Sequence, residues 1–346
     1  MVASLVKGRR HPIASIRRPR LNTTAPPDSA EAPFFEVLVT RKEALARDIW
    51  GFELRDPQGA PLPEFTAGAH LTVQVPGGPR RNYSLCGDPQ DRQAWQLAIK
   101  RDAQGRGGSV RMADTVQAGD RLQVSAPRNH FPLHPRATSH LFIAGGIGIT
   151  PILAMVRHLL AQEQARFQLI YCTRDAEHTA FTEVLSAPEL AGRVRIHHDH
   201  GDPSRAFDFW PLFETPGKGH VYCCGPRGLM DAVADMTGHW PTGAIHFERF
   251  GVDAAAFAAD VPFRARLQRS GATVAVAAGQ TLLEALRGGG HRVPSSCESG
   301  TCGSCRTGLL SGDVEHRDMV LTDDERSTQI MVCVSRARGG ELVLDL

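Results

Sequence analysis

Four cysteines toward the C-terminus carry a spacing suited to electron chemistry: Cys297-x4-Cys302-x2-Cys305, then Cys333 well downstream. This is the plant-type spacing of a [2Fe–2S] site, in which thiolates hold the irons. Gly300, Gly303 and Gly308 let a tight loop wrap such a cluster with backbone N–H groups facing the sulfurs. A structural zinc site and ordinary buried cysteines are the competing readings. Zinc sites prefer two separate cysteine or histidine knuckles, and only one is present, so the spacing favours iron. A cluster of this kind carries single electrons, and the rest of the chain is expected to feed it.

Several other stretches suit nucleotides. Gly145 to Pro151 (GGIGITP) lies between a strand-like and a helix-like run. Its glycines permit close backbone approach to a pyrophosphate, and the helix start adds N–H groups and positive dipole. It is not G-x-G-x-x-G, so the generic dinucleotide fingerprint does not apply. A second turn, Tyr222-Cys223-Cys224-Gly225-Pro226, again ends a strand and opens a helix. Ligands bind at that carboxyl edge in open α/β sheets, although Cys224 taken alone reads better as a small core residue. Between the two turns, Tyr171-Cys172-Thr173-Arg174-Asp175 ends another strand. An acid such as Asp175 binds ribose hydroxyls and repels a 2′-phosphate, favouring NADH, while Arg174 leans the other way.

Upstream, Arg81-Asn82-Tyr83-Ser84-Leu85 offers a cation, a flat ring and a hydroxyl on one strand. Alternation puts Arg81 and Tyr83 on one face and Ser84 on the other. Gly105-Arg106-Gly107-Gly108-Ser109 then forms a glycine-rich turn able to cradle a phosphate. Together they point to a phosphorylated aromatic cofactor. His197-His198-Asp199-His200 invites a metal reading, but neighbours on a strand face opposite ways, and a solvated loop fits better. Asp313, Glu315, Asp318, Asp323, Asp324 and Glu325 read either as a docking surface for a basic partner or as ordinary solvated surface.

These groups need three kinds of scaffold. Between about Phe34 and Leu133, short alternating runs (FFEVLVTRK, IWGFELRD, AHLTVQVP, RNYSLCG, AWQLAIKRD, DRLQVSAP) predict an antiparallel β-barrel. From about residue 137 to 250, buried strands alternate with helical stretches, which predicts a parallel sheet with covered faces. Residues 251–262 (GVDAAAFAADVP) read as a linker, and residues 263–346 as strands, a short helix (TLLEALRG) and the cluster loop. Residues 1–32 are basic and poor in periodic apolar residues, as expected of a solvated tail.

In this order, R-x-Y-S, G-R-G-G-S, G-G-I-G-I-T-P, Y-x-C-G-P, H-F-E-R-F and C-x4-C-x2-C…C resemble the phthalate dioxygenase reductase family from about residue 34 to the end. The resemblance implies a flavin-binding barrel (33–136), a nucleotide domain of the ferredoxin–NADP reductase type (137–250) and a C-terminal β-grasp ferredoxin domain (263–346). It implies FMN, NADH and a [2Fe–2S] cluster, with a Rieske-type oxygenase or demethylase as electron acceptor. By the same resemblance, Arg81 and Ser109 would hold the flavin phosphate with the Gly107 and Gly108 backbone assisting. Tyr83 would pack on the flavin ring and Ser84 would reach its reactive edge. Gly148 and Thr150 would face the nicotinamide nucleotide, Arg174 its adenosine end and Cys224 the nicotinamide. Glu248 and Phe250 would lie near the flavin, and Cys297, Cys302, Cys305 and Cys333 would bind iron. Cys223 departs from the family habit of a plain apolar residue at that position.

Composition bounds the alternatives. The chain has 346 residues, 42% hydrophobic and 22% charged, with net charge +2, and no basic stripe that would suit nucleic acid. No unbroken apolar run approaches a membrane-spanning length. Eight cysteines without a signal-peptide core suggest reduced thiols and a cytoplasmic setting. No cysteine is followed two positions on by histidine, so the chain does not carry a Rieske centre of its own. A monomer is expected. The rival readings are a self-sufficient NADH-dependent flavin or quinone reductase, which leaves the ferredoxin domain without purpose, and an iron–sulfur sensor, which leaves the nucleotide motifs unexplained.

Overall fold

The computed structural model describes residues 34–346 except 79, 106, 163–165, 242, 251–259, 296, 297, 299, 301, 302 and 319. The expected basic tail and most of the expected linker therefore lie outside the described residues.

The first sheet contains β1 (Phe34–Ala46), β2 (Ile49–Arg55), β3 (Ala69–Gln74), β4 (Arg80–Ser84), β5 (Trp95–Lys100), β6 (Arg121–Ser125) and β7 (Arg128–Asn129). Its order is β4-β3-β6-β1-β2-β5 with β7 on β3. Every pairing is antiparallel, and a bridge from Leu85 to Leu97 joins the two ends into a barrel. Alternation explains the closure: Val37, Val39, Phe52, Leu54, Leu71, Val73, Trp95 and Val124 all turn inward to one core. The sequence pattern did not predict the helix Gly108–Thr115, which sends Met112 into that core. It is short and opens on glycine, so it carries little helical signal of its own; packing supplies what propensity lacks.

The second sheet is wholly parallel, in the order β10-β9-β8-β11-β12. It comprises β8 (Ser139–Gly145), β9 (Arg166–Thr173), β10 (Val194–His198), β11 (His220–Cys224) and β12 (Ile245–Glu248). Alternate residues face opposite layers. Phe142, Ala144, Tyr222 and Cys224 meet the helix Ile149–Leu160, whereas Ile143, Val221 and Cys223 meet the helix Arg227–Met236. The core beneath Ile149–Leu160 also takes in Ile49, Cys86, Ala98 and Phe131 of the barrel region. Arg157 reinforces that junction, donating to the Cys86 carbonyl and to Gln96 Oε1, each at 2.7 Å. Barrel and parallel sheet thus share one core, which fixes the flavin-type and nucleotide-type motifs relative to each other.

The third sheet has the order β14-β13-β19-β15-β17, with a separate β16–β18 pair. These strands are β13 (Phe263–Leu267), β14 (Thr273–Val276), β15 (Arg306–Ser311), β16 (Val314–Glu315), β17 (Gln329–Met331), β18 (Arg336–Ala337) and β19 (Glu341–Leu344). The helix Leu282–Gly288 begins with a capping box between Thr281 and Glu284, a signal already present in TLLEALRG. The last residues of the expected linker are not free chain. Asp260 pairs with Arg317 at 2.7 Å and with the buried Arg336 at 3.0 Å, so it is anchored to this third unit. Of the acidic residues considered for docking, Asp318 does not reach the surface. Glu315 pairs with Arg317, and Glu325 pairs with Arg306.

Candidate redox site

The flavin-type motifs, far apart in local geometry, meet in the structure. A methyl group on Gly108 would lie 2.9 Å from Arg81 Cγ, so a bare backbone is needed for the GRGGS turn to rest on the RNYS strand. Gly107 adopts φ +79°, the left-handed region that glycine occupies without strain. The helix Gly108–Thr115 then starts with no side-chain cap and no acid in its first turn. Its free N–H groups beside Arg81 make an anion cradle. Ser109 Oγ accepts from the Asp102 N–H at 3.1 Å and keeps its own proton to donate. On β4, Ser84 is buried, while Tyr83 packs against the barrel core. The Tyr83 hydroxyl is buried without a hydrogen-bond partner. Burial raises its pKa, and the Arg81 charge only partly opposes this, so the phenol stays protonated. An orphaned donor, a guanidinium and an uncapped helix start fit a phosphorylated aromatic cofactor.

The two nucleotide-type turns interlock at the point where strand order reverses, between β8 and β11. A methyl group on Gly148 would run into the Cys224 carbonyl, and one on Gly145 would lie 2.5 Å from Pro226 Cδ. Gly148 therefore serves contact with Cys224 directly. Thr150 is buried, and its hydroxyl donates to the Ile147 carbonyl at 3.0 Å. Cys224 is fully buried. Burial first, then the Glu248 charge and Cys223, push its thiol pKa well up, so it is a neutral thiol and not a nucleophilic thiolate. Glu248 lies opposite Cys224 in the β11–β12 register, and Phe250 beyond it is 44% exposed. At the end of β9, Asp175 accepts from His178 N at 3.1 Å and pairs with His178 Nδ1 at 2.7 Å. That hydrogen bond holds the carboxyl below its ordinary range and ties one of its oxygens to its own turn. Arg174 is exposed beside Gly201.

Of the iron-ligand candidates, Cys297 and Cys302 lie outside the described residues. Cys305 and Cys333 are 2% and 1% exposed within the core of the third unit. Gly300 and Gly303 take φ +76° and +79°. A methyl group on Gly300 would lie 2.8 Å from Val334 Cγ2 and 3.2 Å from Asp318 Cα, so the loop needs glycine there on both counts. Asp318 has a central role that no sequence motif marks. Its carboxylate accepts from the Val320 and Leu321 N–H groups at 3.2 and 2.9 Å and from Ser335 Oγ at 3.3 Å. It thereby ties the segment under Gly300 to the turn that follows Cys333. Asp318 lies outside any strand, and one acid among several gives no distinctive signal. Buried sulfur donors on a glycine-rich loop fit an iron–sulfur centre.

The imidazoles of the histidine run make local contacts. His197 Nε2 meets the Arg205 carbonyl at 2.7 Å, and His198 Nε2 meets Thr179 Oγ1 at 3.1 Å. No metal-competent group of side chains occurs among the described residues. Nor is any helix among them long and apolar enough to cross a membrane.

Three family models cover the chain in the order of its sheets: an oxidoreductase FAD-binding domain over residues 36–132, an oxidoreductase NAD-binding domain over 142–235, and a 2Fe-2S iron-sulfur cluster binding domain over 265–338. Phthalate dioxygenase reductase of Burkholderia cepacia is 58% identical over 318 residues, covering 91% of this chain and 98% of the relative. The chain belongs to the phthalate dioxygenase reductase family. A solved phthalate dioxygenase reductase superposes with TM-score 0.77 at 57% identity, over 90% of this chain and 98% of that one. Vanillate O-demethylase oxidoreductase of Pseudomonas sp. (strain HR199 / DSM 7063) is 39% identical, covering 90% of this chain and 99% of the relative. An intact type IV self-sufficient cytochrome P450 monooxygenase contains a comparable region, at 39% identity and TM-score 0.67 over 91% of this chain but only 41% of its own length. The family reading, the barrel and the parallel sheet are thus as the sequence implied, and the 2Fe-2S domain lies where the cysteine spacing placed it.

Proposed function

We propose that this protein is the reductase component of a Rieske-type aromatic oxygenase or demethylase system, taking reducing equivalents from NADH and delivering single electrons to the oxygenase. The supporting observation is the union in one chain of flavin, nucleotide and 2Fe-2S modules, with 58% identity to a phthalate dioxygenase reductase across nearly its whole length. Flavin, when bound, accepts two electrons from a hydride donor and yields them singly, which matches a donor of pairs to a one-electron cluster. FMN is the form proposed, with residues 33–136, 137–250 and 263–346 as the flavin, nucleotide and ferredoxin domains.

The residues act by holding and excluding. Arg81, Ser109 and the Gly107–Gly108 backbone bind the phosphate; Tyr83 lies against the ring, and Ser84 stands toward its reactive edge. Gly148 allows the close turn under the nicotinamide. Cys224, neutral and buried, fills that contact without offering a charge or a competing nucleophile. Thr150 stiffens the turn, Arg174 and Asp175 address the adenosine end, and Glu248 and Phe250 close the side toward the flavin. Cys297, Cys302, Cys305 and Cys333 hold the iron. We assign the protein to the cytoplasm, in keeping with its mostly buried free thiols, and take it to act as a monomer.

Anaerobic stopped-flow mixing with NADH and with NADPH tests the assignment. Rapid loss of flavin absorbance, with NADH preferred, is the expected result; a flavin untouched by either nucleotide refutes it.

A further inference from the structure

The histidine run after β10 has no part in the electron route above, yet it is built against the turn assigned to the adenosine end. Thr173 at the end of β9 lies in register with His198 at the end of β10. Beyond that point the two strand exits stay joined by their backbones. Asp199 N donates to the Thr173 carbonyl at 3.2 Å, and His200 N to the Arg174 carbonyl at 2.8 Å. His200 takes φ +55°, a left-handed conformation that is costly for a non-glycine residue and persists only where its surroundings hold it. Here the bond to Arg174 and the Asp199 carboxylate, which accepts from Gly201 N at 2.8 Å, supply that hold.

Side chains complete the connection. Thr179 Oγ1 lies 2.7 Å from the Asp175 carbonyl, 2.7 Å from Thr173 Oγ1 and 3.1 Å from His198 Nε2. A carbonyl only accepts, so the one hydroxyl proton of Thr179 goes to Asp175. Thr179 then accepts from the other two groups, which puts a proton on His198 Nε2. Thr173 and Thr179 are both buried, where an unmatched hydroxyl is costly. Asp175 is thus held at its carbonyl by Thr179 and at its carboxylate by His178. Its side chain remains 33% exposed at the carboxyl edge of the sheet, where ligands bind.

We propose that His198 is a positioning residue for the choice of dinucleotide. Through Thr179 it fixes the turn that aims Asp175, the acid that accepts ribose hydroxyls and repels a 2′-phosphate. This role rests on the NADH assignment proposed above and deepens it, because selectivity then resides in two joined strand exits rather than in Asp175 alone. When the His198 donor is lost, the turn loosens and the carboxylate no longer opposes a 2′-phosphate from one fixed place. Arg174, next in the chain, is then free to pair with that phosphate.

Calorimetric titration of the holoprotein with 5′-AMP and with adenosine 2′,5′-bisphosphate tests this without any hydride transfer. The wild-type protein is expected to prefer 5′-AMP. His198→Leu, which cannot donate, should lower that preference roughly tenfold, about the worth of one hydrogen bond. Thr179→Ala breaks the same connection from its other side and should give the same drop. His198→Gln keeps an amide donor and should retain the preference. The kcat/KM ratio for NADH over NADPH in flavin reduction should follow the binding ratio across all three variants. General damage to the fold weakens both nucleotides alike and leaves their ratio unchanged. An unchanged ratio in His198→Leu and Thr179→Ala overturns the proposal, as does its loss in His198→Gln or a wild-type protein without preference. A wild-type flavin that neither dinucleotide reduces counts against the reductase assignment alone, and the binding ratios still decide the role of His198.

Discussion

At the scale of single residues, the account turns on contacts too close for a side chain and on groups whose charge is fixed by burial. Gly148→Ala sets a methyl group against the Cys224 carbonyl. Overpacking of this kind costs about 1–3 kcal/mol, and because it separates the interlocked turns it should also slow NADH-dependent flavin reduction. Thermal unfolding and stopped-flow absorbance check the two effects. Cys224 has its pKa raised by burial, so it remains a thiol through pH 7–9. Iodoacetamide at pH 8 should leave it unlabelled in the folded protein, as peptide mapping would reveal; rapid labelling would contradict the assigned protonation state. Asp318→Ala strips the acceptor from Val320 N, Leu321 N and Ser335 Oγ, at about 1–3 kcal/mol for the donors left unpaired. The expected outcome is a lower iron content per protein together with a lower unfolding midpoint. The cysteine spacing and the glycine turns were legible because each is a local pattern. Asp318 was not legible, because its partners are assigned only when the turn after Cys333 folds over it.

At the scale of elements, the junction between barrel and parallel sheet holds four imidazoles around Tyr222. His134 stacks on His220 at 4.2 Å, His220 Nδ1 lies 2.9 Å from His246 Nε2, and His246 stacks on Tyr222 at 4.4 Å. Burial, with mutual repulsion from His220, His134 and His140, pushes the His246 pKa down to about 4. The unfolded chain keeps an ordinary value near 6.5, so between pH 6.5 and 4 it binds more protons than the folded one. This contribution to stability is whole above that window and is lost as pH falls through it. His246→Gln should flatten the acid side of a denaturation midpoint plotted against pH; an unchanged slope would show that the array does not couple to folding. Sequence alternation identified the strands on either side of this junction, since period-two patterning is local. It did not reveal the array, which joins residues on β8, β11, β12 and the chain after β7, nor the helix Gly108–Thr115, whose apolar residues are too few to set a period.

At the scale of the whole molecule, the flavin, nucleotide and 2Fe-2S functions occupy successive modules of one chain, and each module should fail separately. Cys333→Ser removes one proposed iron ligand from the third unit and touches neither nucleotide turn nor flavin cradle. Reduction of the flavin by NADH should persist in that variant while electron delivery to a one-electron acceptor protein is lost, which a coupled oxygenase assay would register. The chain-level organisation was legible because the pattern of strand-like and helix-like runs changes between regions, whereas the anchoring of Asp260 by Arg317 and Arg336 was hidden in a segment that reads as linker. The central claim is that NADH reduces both centres of a single chain. It is tested most directly by anaerobic addition of stoichiometric NADH to the purified protein, followed by visible absorbance and low-temperature EPR. The account predicts bleaching of flavin and iron–sulfur bands and the EPR signal of a reduced [2Fe–2S] centre. A protein that carries zinc in place of iron, or whose cluster stays oxidised while the flavin is reduced, would contradict it.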